Sequence, residues 1–454
     1  MRFFRPLLVA GLLCQSMSSI AQHPVLFSDV SKNTNAISTN PALVHLNKGE
    51  WAASILSFDG DVVSNTGSIS TKNLFHVNAN FLRQNVLGTS KISTGAGLLS
   101  IKGPSLAYGL TPKLTVIATT RTRFHSNYWK ADGRLISEIG EVVKVPQEYP
   151  YVIKREQMQM VAAVFSELGI TASYLAYEND RSSLHFGGTL NVVNGAASTS
   201  IAVPTLTGTI KRINSYLTSL TNATGSVSTQ TSGEFLGAAN LRNLLHPQQV
   251  SISTTLGVMY EYRRDKTGPP LFKFGLSIND IGRLKFRADS AYSKSYNINI
   301  PVNKDLFFNN NFNNSTFSQT TRVFDKYPDL FEKTNVRNDT YLVGLPTTIQ
   351  VVADVRLAEN FFAGGHGVLS LKGKNDIRTL RTNSSVAIAP RWETGNWAVG
   401  VSLGYQEFGG AYSGLSVKAG PVFLSGNTLL SGTIARTKQL NLAAGVILPL
   451  STQR

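Results

Sequence analysis

The chain has 454 residues, of which 42% are hydrophobic, 15% are charged and one is a cysteine. Its mean hydropathy of −0.03 excludes a bundle of transmembrane helices but not a transmembrane β-barrel, because only every second residue of a barrel strand contacts lipid. The net charge of +16 is spread over the whole chain rather than clustered among aromatic residues, which indicates attraction to an anionic membrane surface such as lipopolysaccharide and not nucleic-acid binding.

Residues 1–21 have the composition of a secretory signal peptide. Arg2 and Arg5 precede the apolar run 6–13, and Ser19 and Ala21 form a small-residue cleavage site. The apolar run is too short to cross a membrane as a helix. We therefore expect export to the bacterial outer membrane and a mature chain that starts at residue 22.

The single cysteine, Cys14, lies inside this signal. A lipid anchor on Cys14 is the alternative, but Leu13 stands where a lipoprotein signal requires a small residue. The mature chain is expected to have no cysteine, and hence neither a disulfide nor a thiolate metal site.

Residues 22–50 show no regular alternation of apolar and polar side chains and are predicted to form an irregular N-terminal hatch in the barrel mouth. From residue 51 onward, alternation with a period of two predicts long strands. Residues 250–264 show it best, with Ile252 and Leu256 on one face and Ser253 and Thr255 on the other. The predicted strands are 51–58, 73–82, 95–109 (with a bend or bulge at Gly103-Pro104), 114–124, 158–177, 183–196, 250–264, 272–286, 345–357, 360–372, 384–392, 397–406, 412–424 and 439–450.

Two long connections interrupt the strands, at 197–249 and 287–343, and both are expected on the same side of the barrel. Loops of this length are usually functional or disordered. In the first, the spacing of Ile210, Ile213, Leu217 and Leu220 predicts a short amphipathic helix.

These elements predict an all-β fold: a transmembrane antiparallel β-barrel of about 14 strands, with 12 or 16 also compatible. The strands reach the length of about 9–11 residues that crosses a bilayer. A secreted β-sandwich or β-helix is the alternative. Aromatic residues near strand ends match an interfacial girdle; they are Trp51, Trp129, Tyr260, Tyr262, Trp392, Trp397 and Tyr405.

If the apolar faces point outward, a set of charged side chains points into the lumen. They pair across strands or are hydrated, or they form a mildly cationic site for the head group of an anionic amphiphile. These candidate ligand-binding residues are Arg121, Arg123, Glu261, Arg263, Lys273, Asp354, Arg356 and Lys418.

The sequence gives little support for an enzyme. None of its seven histidines stands in a metal-binding His-x-His or His-Glu-x-x-His pair. His76 and His185 lie in predicted strands and could each meet a serine, but a chain so rich in serine makes such a meeting uninformative. We expect no catalytic residue, no metal and no cofactor.

Several fragments resemble a Bacteroidota outer-membrane barrel family of unassigned function that is related to FadL-like and PorV-like barrels. The resemblance implies a 14-stranded barrel with an N-terminal hatch. For FadL-like barrels it implies passage of hydrophobic molecules, and for PorV-like barrels a shuttle or scaffold role in protein secretion. One departure is the C-terminus, which ends on Arg454 and not on an aromatic residue. The fragments are Thr39-Asn40-Pro41-Ala42, Gly103-Pro104-Ser105-Leu106, residues 256–263, Asp280-Ile281-Gly282 and Leu345-Pro346-Thr347-Thr348.

The sequence thus leaves three functions open. The first is a barrel that passes or binds a small hydrophobic or amphiphilic ligand, in contact with outer-membrane lipid and lipopolysaccharide. The second is a scaffold whose long loops dock a secreted or surface protein. The third, a hydrolase within the membrane, has the least support.

Overall fold

The computed structural model describes residues 33–67, 91–140, 148–154, 157–214, 217–233, 249–265, 270–312, 320–334 and 339–450. In these ranges the helical segments are a 3₁₀ turn at Thr34–Ser38, α1 (Gly133–Gly140), α2 (Phe308–Phe312), α3 (Thr320–Lys326) and α4 (Ser431–Ile434). None of the described helices is long and apolar enough to cross a membrane. The strands are β1 (Trp51–Ser64), β2 (Ile92–Thr111), β3 (Leu114–Asp132), β4 (Tyr151–Ile153), β5 (Met158–Glu178), β6 (Ser182–Asn214), β7 (Leu217–Ser232), β8 (Val250–Tyr262), β9 (Phe272–Arg287), β10 (Ser295–Ile300), β11 (Leu306–Phe307), β12 (Phe331–Thr334), β13 (Thr340–Gly344), β14 (Thr348–Arg356), β15 (Phe361–Ser370), β16 (Ser385–Thr394), β17 (Trp397–Gln406), β18 (Gly410–Ala419), β19 (Val422–Gly426) and β20 (Gln439–Leu450).

Fourteen of these strands form a closed antiparallel barrel. Their order around the wall is β1, β2, β3, β5, β6, β8, β9 and then β14 to β20. Strand β20 pairs with β1, from Trp51 opposite Leu450 to Val63 opposite Gln439, and this pairing closes the cylinder. Closure pairs each of these fourteen strands on both sides, which is the condition for a β-structure in lipid. The predicted fold class and strand number are confirmed.

The outer face of the wall is an apolar belt. In β5, Ile170 is 63% exposed whereas its neighbour Thr171 is fully buried, and in β8, Ile252 is 61% exposed whereas Ser253 is buried. A row of exposed aliphatic side chains on a closed barrel is the pattern of lipid contact. At the end with the short turns the belt finishes in aromatic side chains, among which Trp51 packs on Tyr108 with ring centroids 4.2 Å apart.

One predicted strand is contradicted by the structure, and another falls outside the described residues. The prediction of one strand over 412–424 is wrong, because the chain reverses at Gly420-Pro421, with Gly420 at φ +57°, and makes two paired strands, β18 and β19. The predicted strand 73–82 lies outside the described residues. The bulge at Gly103-Pro104 is confirmed, since the register between β2 and β3 shifts between Lys102 and Ser105.

Strand β6 runs far beyond the belt, at the end with the long connections. There its distal half forms an extension together with β4, β7, β10, β11 and β12. This half of β6 pairs with β4 and β7, and β7 pairs in turn with β10 and β11. The extension has its own apolar core, which includes the fully buried Ile210, Tyr296 and Phe308. Burial alone would raise the pKa of Asp325, but hydrogen bonds from Lys294 and Tyr296 outweigh it and hold that pKa below its usual value.

The predicted amphipathic helix in the first long connection is wrong. Ile210 belongs to β6 and Leu217 to β7, and Ile210 pairs directly with Leu220 across the hairpin. Both of these side chains face the apolar core, while Ile213 is 46% exposed. The threonine, valine and isoleucine residues of this segment favour a strand, and cross-strand packing decides the outcome. The two long connections do lie at the same end, as expected, because β7 pairs with β10.

Candidate functional site

The N-terminal segment lies inside the barrel and forms a plug, which we define as residues 34–47. Asn40 anchors it, donating from Nδ2 to the carbonyl oxygens of Val258 (3.0 Å) and Leu276 (3.2 Å) on two wall strands. Ser277 Oγ donates to the carbonyl of Thr39 at 2.6 Å. The plug therefore takes up hydrogen bonds that inward-facing polar groups of the wall would otherwise lack.

Thr34 fixes the start of the plug to another part of the wall. Its Oγ1 lies 2.6 Å from Ser54 Oγ of β1 and 2.7 Å from Ser105 Oγ of β2. Further along, the apolar plug residues Leu43, Val44 and Leu46 are buried in a cluster with wall residues of β1, β2, β3, β8 and β14. The plug thus spans the lumen between opposite walls.

Glycines on the wall admit the plug backbone. A Cβ at Gly187 would lie 2.3 Å from the backbone nitrogen of Ala42 and 2.3 Å from the carbonyl carbon of Pro41. A Cβ at Gly257 would lie 2.1 Å from Asn40 Oδ1. Only glycine permits such an approach, so the Asn40-Pro41-Ala42 turn is seated in a groove that these two strands leave open.

A cavity of about 50 Å³ lies between the plug and the wall. Its lining is mostly polar and combines plug residues such as Asn35 and Ser38 with wall residues from β2, β3, β5, β6, β8 and β9. Charged groups enter from the wall: Lys102, Arg121, Glu167 and Asp280. A space of this size holds a few water molecules.

A cluster of four charges borders the cavity. Arg123 is 4% exposed, and its guanidinium contacts Glu167 Oε1 and Asp280 Oδ2, each at 2.6 Å. Arg121 Nε contacts Glu167 Oε2 at 2.6 Å, and its Nη2 lies 3.5 Å from Asp280 Oδ1. Because two arginines face two carboxylates, the cluster is neutral as a whole, and Arg121 is its more accessible cation, with 20% of its side chain exposed.

Asp280 reaches this cluster because β9 is distorted there. Its φ is +58°, unusual for a residue other than glycine, and Thr255 Oγ1 accepts a hydrogen bond from its backbone nitrogen at 3.2 Å. The pairing of β9 with β14 ends one residue earlier, at Asn279, and resumes with β13 at Arg283. The break turns the Asp280 carboxylate across the lumen toward β3.

Two further charge groups include other predicted candidates. Glu261 contacts Arg263 at 3.1 Å and Lys273 at 3.4 Å near the short-turn end. Asp354 contacts the buried Arg391 at 2.6 Å. The Glu261–Lys273 and Asp354–Arg391 pairs join different strands, whereas Glu261 and Arg263 are two residues apart in the chain, so these charges are paired as the first alternative for the lumen charges expects.

The last two candidates lie apart from the cavity. Arg356 donates to the backbone carbonyl of Glu359 at 2.9 Å in a turn. Lys418 stands opposite Ala398 in the β17–β18 pair. Of the predicted set, only Arg121 lines the cavity, and Arg123 is joined to it through the ion pairs with Glu167 and Asp280.

The prediction missed Glu167, Asp280 and Arg391. The sequence could have placed Glu167 in the lumen. It lies on the same face of β5 as Gly169 and Thr171, and the exposed Leu168 and Ile170 lie on the other face. For Asp280 the alternation fails at the break in β9, so only the structure places its side chain.

His185 does meet a serine, as the sequence allowed. Its Nε2 lies 3.2 Å from Ser183 Oγ, and both residues are buried. No hydrogen-bond partner of His185 Nδ1 is present in the described part of the chain, so no carboxylate orients this ring as a triad requires. His76 lies outside the described residues. In the described ranges, no group of three or more His, Cys, Asp or Glu side chains could hold a metal ion.

A closed barrel with an apolar outer belt, aromatic side chains at one rim and a polar interior filled by its own N-terminal segment defines an outer-membrane β-barrel. Within that class, the chain belongs to the family of unknown function DUF5723, whose model matches residues 41–426. The Bacteroidota origin, the signal peptide at 1–21 and the absence of enzymatic activity stay predictions.

Three solved structures are similar to the chain at low sequence identity. The toluene transporter TbuX of Ralstonia pickettii is 10% identical, with a TM-score of 0.42, over 92% of this chain and 93% of that chain. A FadL homologue of Pseudomonas aeruginosa is 9% identical, with a TM-score of 0.41, over 92% and 93%. The toluene transporter TodX of Pseudomonas putida is 10% identical, with a TM-score of 0.34, over 91% and 92%.

No curated protein matches the chain significantly.

Proposed function

We propose that the protein is an outer-membrane barrel that admits a small amphiphilic ligand into its lumen, with the plug as the movable element. The observation that carries this proposal is the cavity between the plug and the Arg121–Arg123–Glu167–Asp280 cluster. Because the cavity holds only a few waters, a larger molecule enters only when the plug shifts. The accessible guanidinium of Arg121 supplies a site for an anionic head group.

The construction of the plug supports such movement. Its contacts with the wall are hydrogen bonds and van der Waals contacts, with no covalent link among the described residues. Each neutral hydrogen bond contributes about 1 kcal/mol net, so a ligand that replaces several of them can displace the segment.

A reversible lock tests this proposal. Thr34→Cys with Ser105→Cys replaces the 2.7 Å Oγ–Oγ contact with a disulfide between plug and wall, in a Cys14→Ser background. In proteoliposomes, uptake of oleate, and separately of toluene, should be lost in the oxidised double variant and return on reduction. The two single-cysteine variants are the controls and should behave as wild type. Undiminished uptake by the oxidised double variant would refute a mobile plug.

A scaffold role is the second candidate, favoured by the extension. This part of the chain stands beyond the lipid belt and packs around its own apolar core. The disulfide between plug and wall distinguishes the two functions, because a scaffold should still bind its protein partner when the plug cannot move. Deletion of 203–227, which joins the cross-strand neighbours Ala202 and Ser228, should release that partner in affinity purification and leave uptake unchanged.

A further inference from the structure

The outward face of β9 changes character along its length. Below the break it presents the exposed apolar side chains of Phe274, Leu276 and Ile278 to lipid. Above the break the same face presents Arg283, Lys285 and Arg287, and all three are exposed. We call these three residues the basic row. A change from apolar to cationic on one strand face marks the place where the hydrocarbon region of a membrane ends.

The basic row points away from the lumen. The alternating residues Leu284 and Phe286 are 0% and 1% exposed and belong to an apolar cluster inside the barrel. Since successive side chains of a strand point to opposite faces, the three cations lie on the outside. Their spacing of two residues places neighbouring cations about 7 Å apart along the strand.

The basic row also differs from the cations of the lumen in its pairing. Arg123, Arg391 and Lys273 each contact a carboxylate. By contrast, no ion pair in the described part of the chain involves a member of the basic row. Asp339 lies close to Arg287, because its carbonyl accepts a hydrogen bond from the Ala288 nitrogen, but among the described residues it forms no ion pair with Arg287. Three unneutralised cations on one strand face favour an anionic partner from outside the chain.

Exposed apolar side chains flank the basic row. Leu342 of β13 stands opposite Lys285 and is 46% exposed. On the other side, β8 presents Val250 and Ile252, which are 58% and 61% exposed, and Ser251 Oγ accepts from the Lys285 backbone nitrogen. The surface is therefore continuous with the lipid belt and amphipathic, with cations for a head group and aliphatic side chains for acyl chains.

We propose that the basic row binds the phosphate groups of an anionic membrane lipid, in the leaflet on the side of the long connections. A free anion would use only the charges, whereas a phosphorylated lipid matches the cations and the flanking apolar residues together. An acidic protein would use the charges but would have to displace lipid from Val250, Ile252 and Leu342. The proposal does not depend on whether the lumen passes a ligand.

Lipid titration with native mass spectrometry tests this proposal on the full-length, delipidated protein, with diphosphoryl lipid A as the probe and phosphatidylcholine as the neutral reference. We expect a preference for lipid A in the wild type. Each basic residue near an anionic surface contributes a factor of about five, so Arg283→Gln, Lys285→Gln and Arg287→Gln together should weaken lipid A binding on the order of 100-fold.

Two further variants sharpen the result. A matched control removes three exposed cations from the extension, as Lys154→Gln, Lys304→Gln and Lys333→Gln, and should bind lipid A as the wild type does. Arg283→Lys with Arg287→Lys keeps the charges and should retain most of the affinity. Unchanged heat-modifiability in gels verifies that each barrel is folded.

Three outcomes would overturn the proposal. The first is equal lipid A binding by the wild type and the triple glutamine variant. The second is an equal loss in the extension control, which would make the effect one of net charge. The third is full competition by inorganic phosphate or by a co-purified acidic protein, which would assign the basic row to a different partner.

Discussion

At the scale of single residues, the lumen charges show why alternation alone does not identify a binding site. The sequence places Arg121, Arg123 and Glu261 inside the barrel by parity, and the structure finds them there in ion pairs. The alternation of side chains along a strand does not identify the ion-pair partners of these residues. Glu167 and Asp280 lie 44 and 157 residues from Arg123, and only the barrel closure brings them together.

The stability of the cluster depends on its balance. Arg123→Leu would leave Glu167 and Asp280 sharing only Arg121 in a buried environment, and removing one partner of a buried ion pair costs about 3–5 kcal/mol. We expect a corresponding fall in the free energy of unfolding, measured by urea titration in lipid vesicles. The matched control is Arg356→Leu, whose guanidinium bonds an exposed turn carbonyl and whose loss should cost under about 1 kcal/mol. Similar losses for both variants would mean that the cluster is hydrated rather than buried.

At the scale of elements, the plug is a segment whose structure comes from its surroundings. The sequence of residues 22–50 shows no periodicity, and the described part, from residue 33, forms one short 3₁₀ turn and irregular backbone. The hydrogen bonds of Asn40 go to strands more than 200 residues away. A hatch could be predicted from the lack of alternation. Its contact with Gly187 and Gly257 could not, because a glycine within a strand can mark a bulge, a bend or the close approach of another backbone.

Two adjacent glycines of β6 test that seat. Gly187→Ala places a Cβ 2.3 Å from the plug backbone, whereas Gly188→Ala meets only the Leu256 side chain at 3.6 Å. Because overpacking costs about 1–3 kcal/mol, Gly187→Ala should displace the plug, raise conductance in planar bilayers and expose residues 34–47 to protease. Gly188→Ala should resemble the wild type in both measurements. Equal conductance of the two variants would argue against a seated plug.

At the scale of the whole molecule, the belt defines which surface is in lipid. Ile170 on β5 is 63% exposed and Val302 in the extension is 73% exposed, yet only the first belongs to the barrel wall. Exposure therefore does not separate lipid from water, whereas position in the closed barrel does.

A charge placed at each position distinguishes the two environments. Ile170→Arg should destabilise the protein by about 2–4 kcal/mol in a bilayer, as expected for arginine on the lipid face of a barrel. Val302→Arg faces water and should change the free energy of unfolding by less than about 0.5 kcal/mol. Unfolding in vesicles of defined lipid measures both. If Ile170→Arg were neutral, the proposed lipid face would be wrong.

The sequence by itself determined the fold class, since side-chain alternation with a period of two is a local property that survives in any context. It gave the bounds of β17 and β20 without error and those of β8 to within two residues. It did not resolve β18 from β19, nor the β6–β7 hairpin from a helix, because in both places the local pattern fits two structures. Only the tertiary structure decided these, together with the plug seat, the partners of Arg123 and the outward direction of the basic row. Each of these features depends on contacts between residues far apart in the chain, which exist only once the barrel has closed.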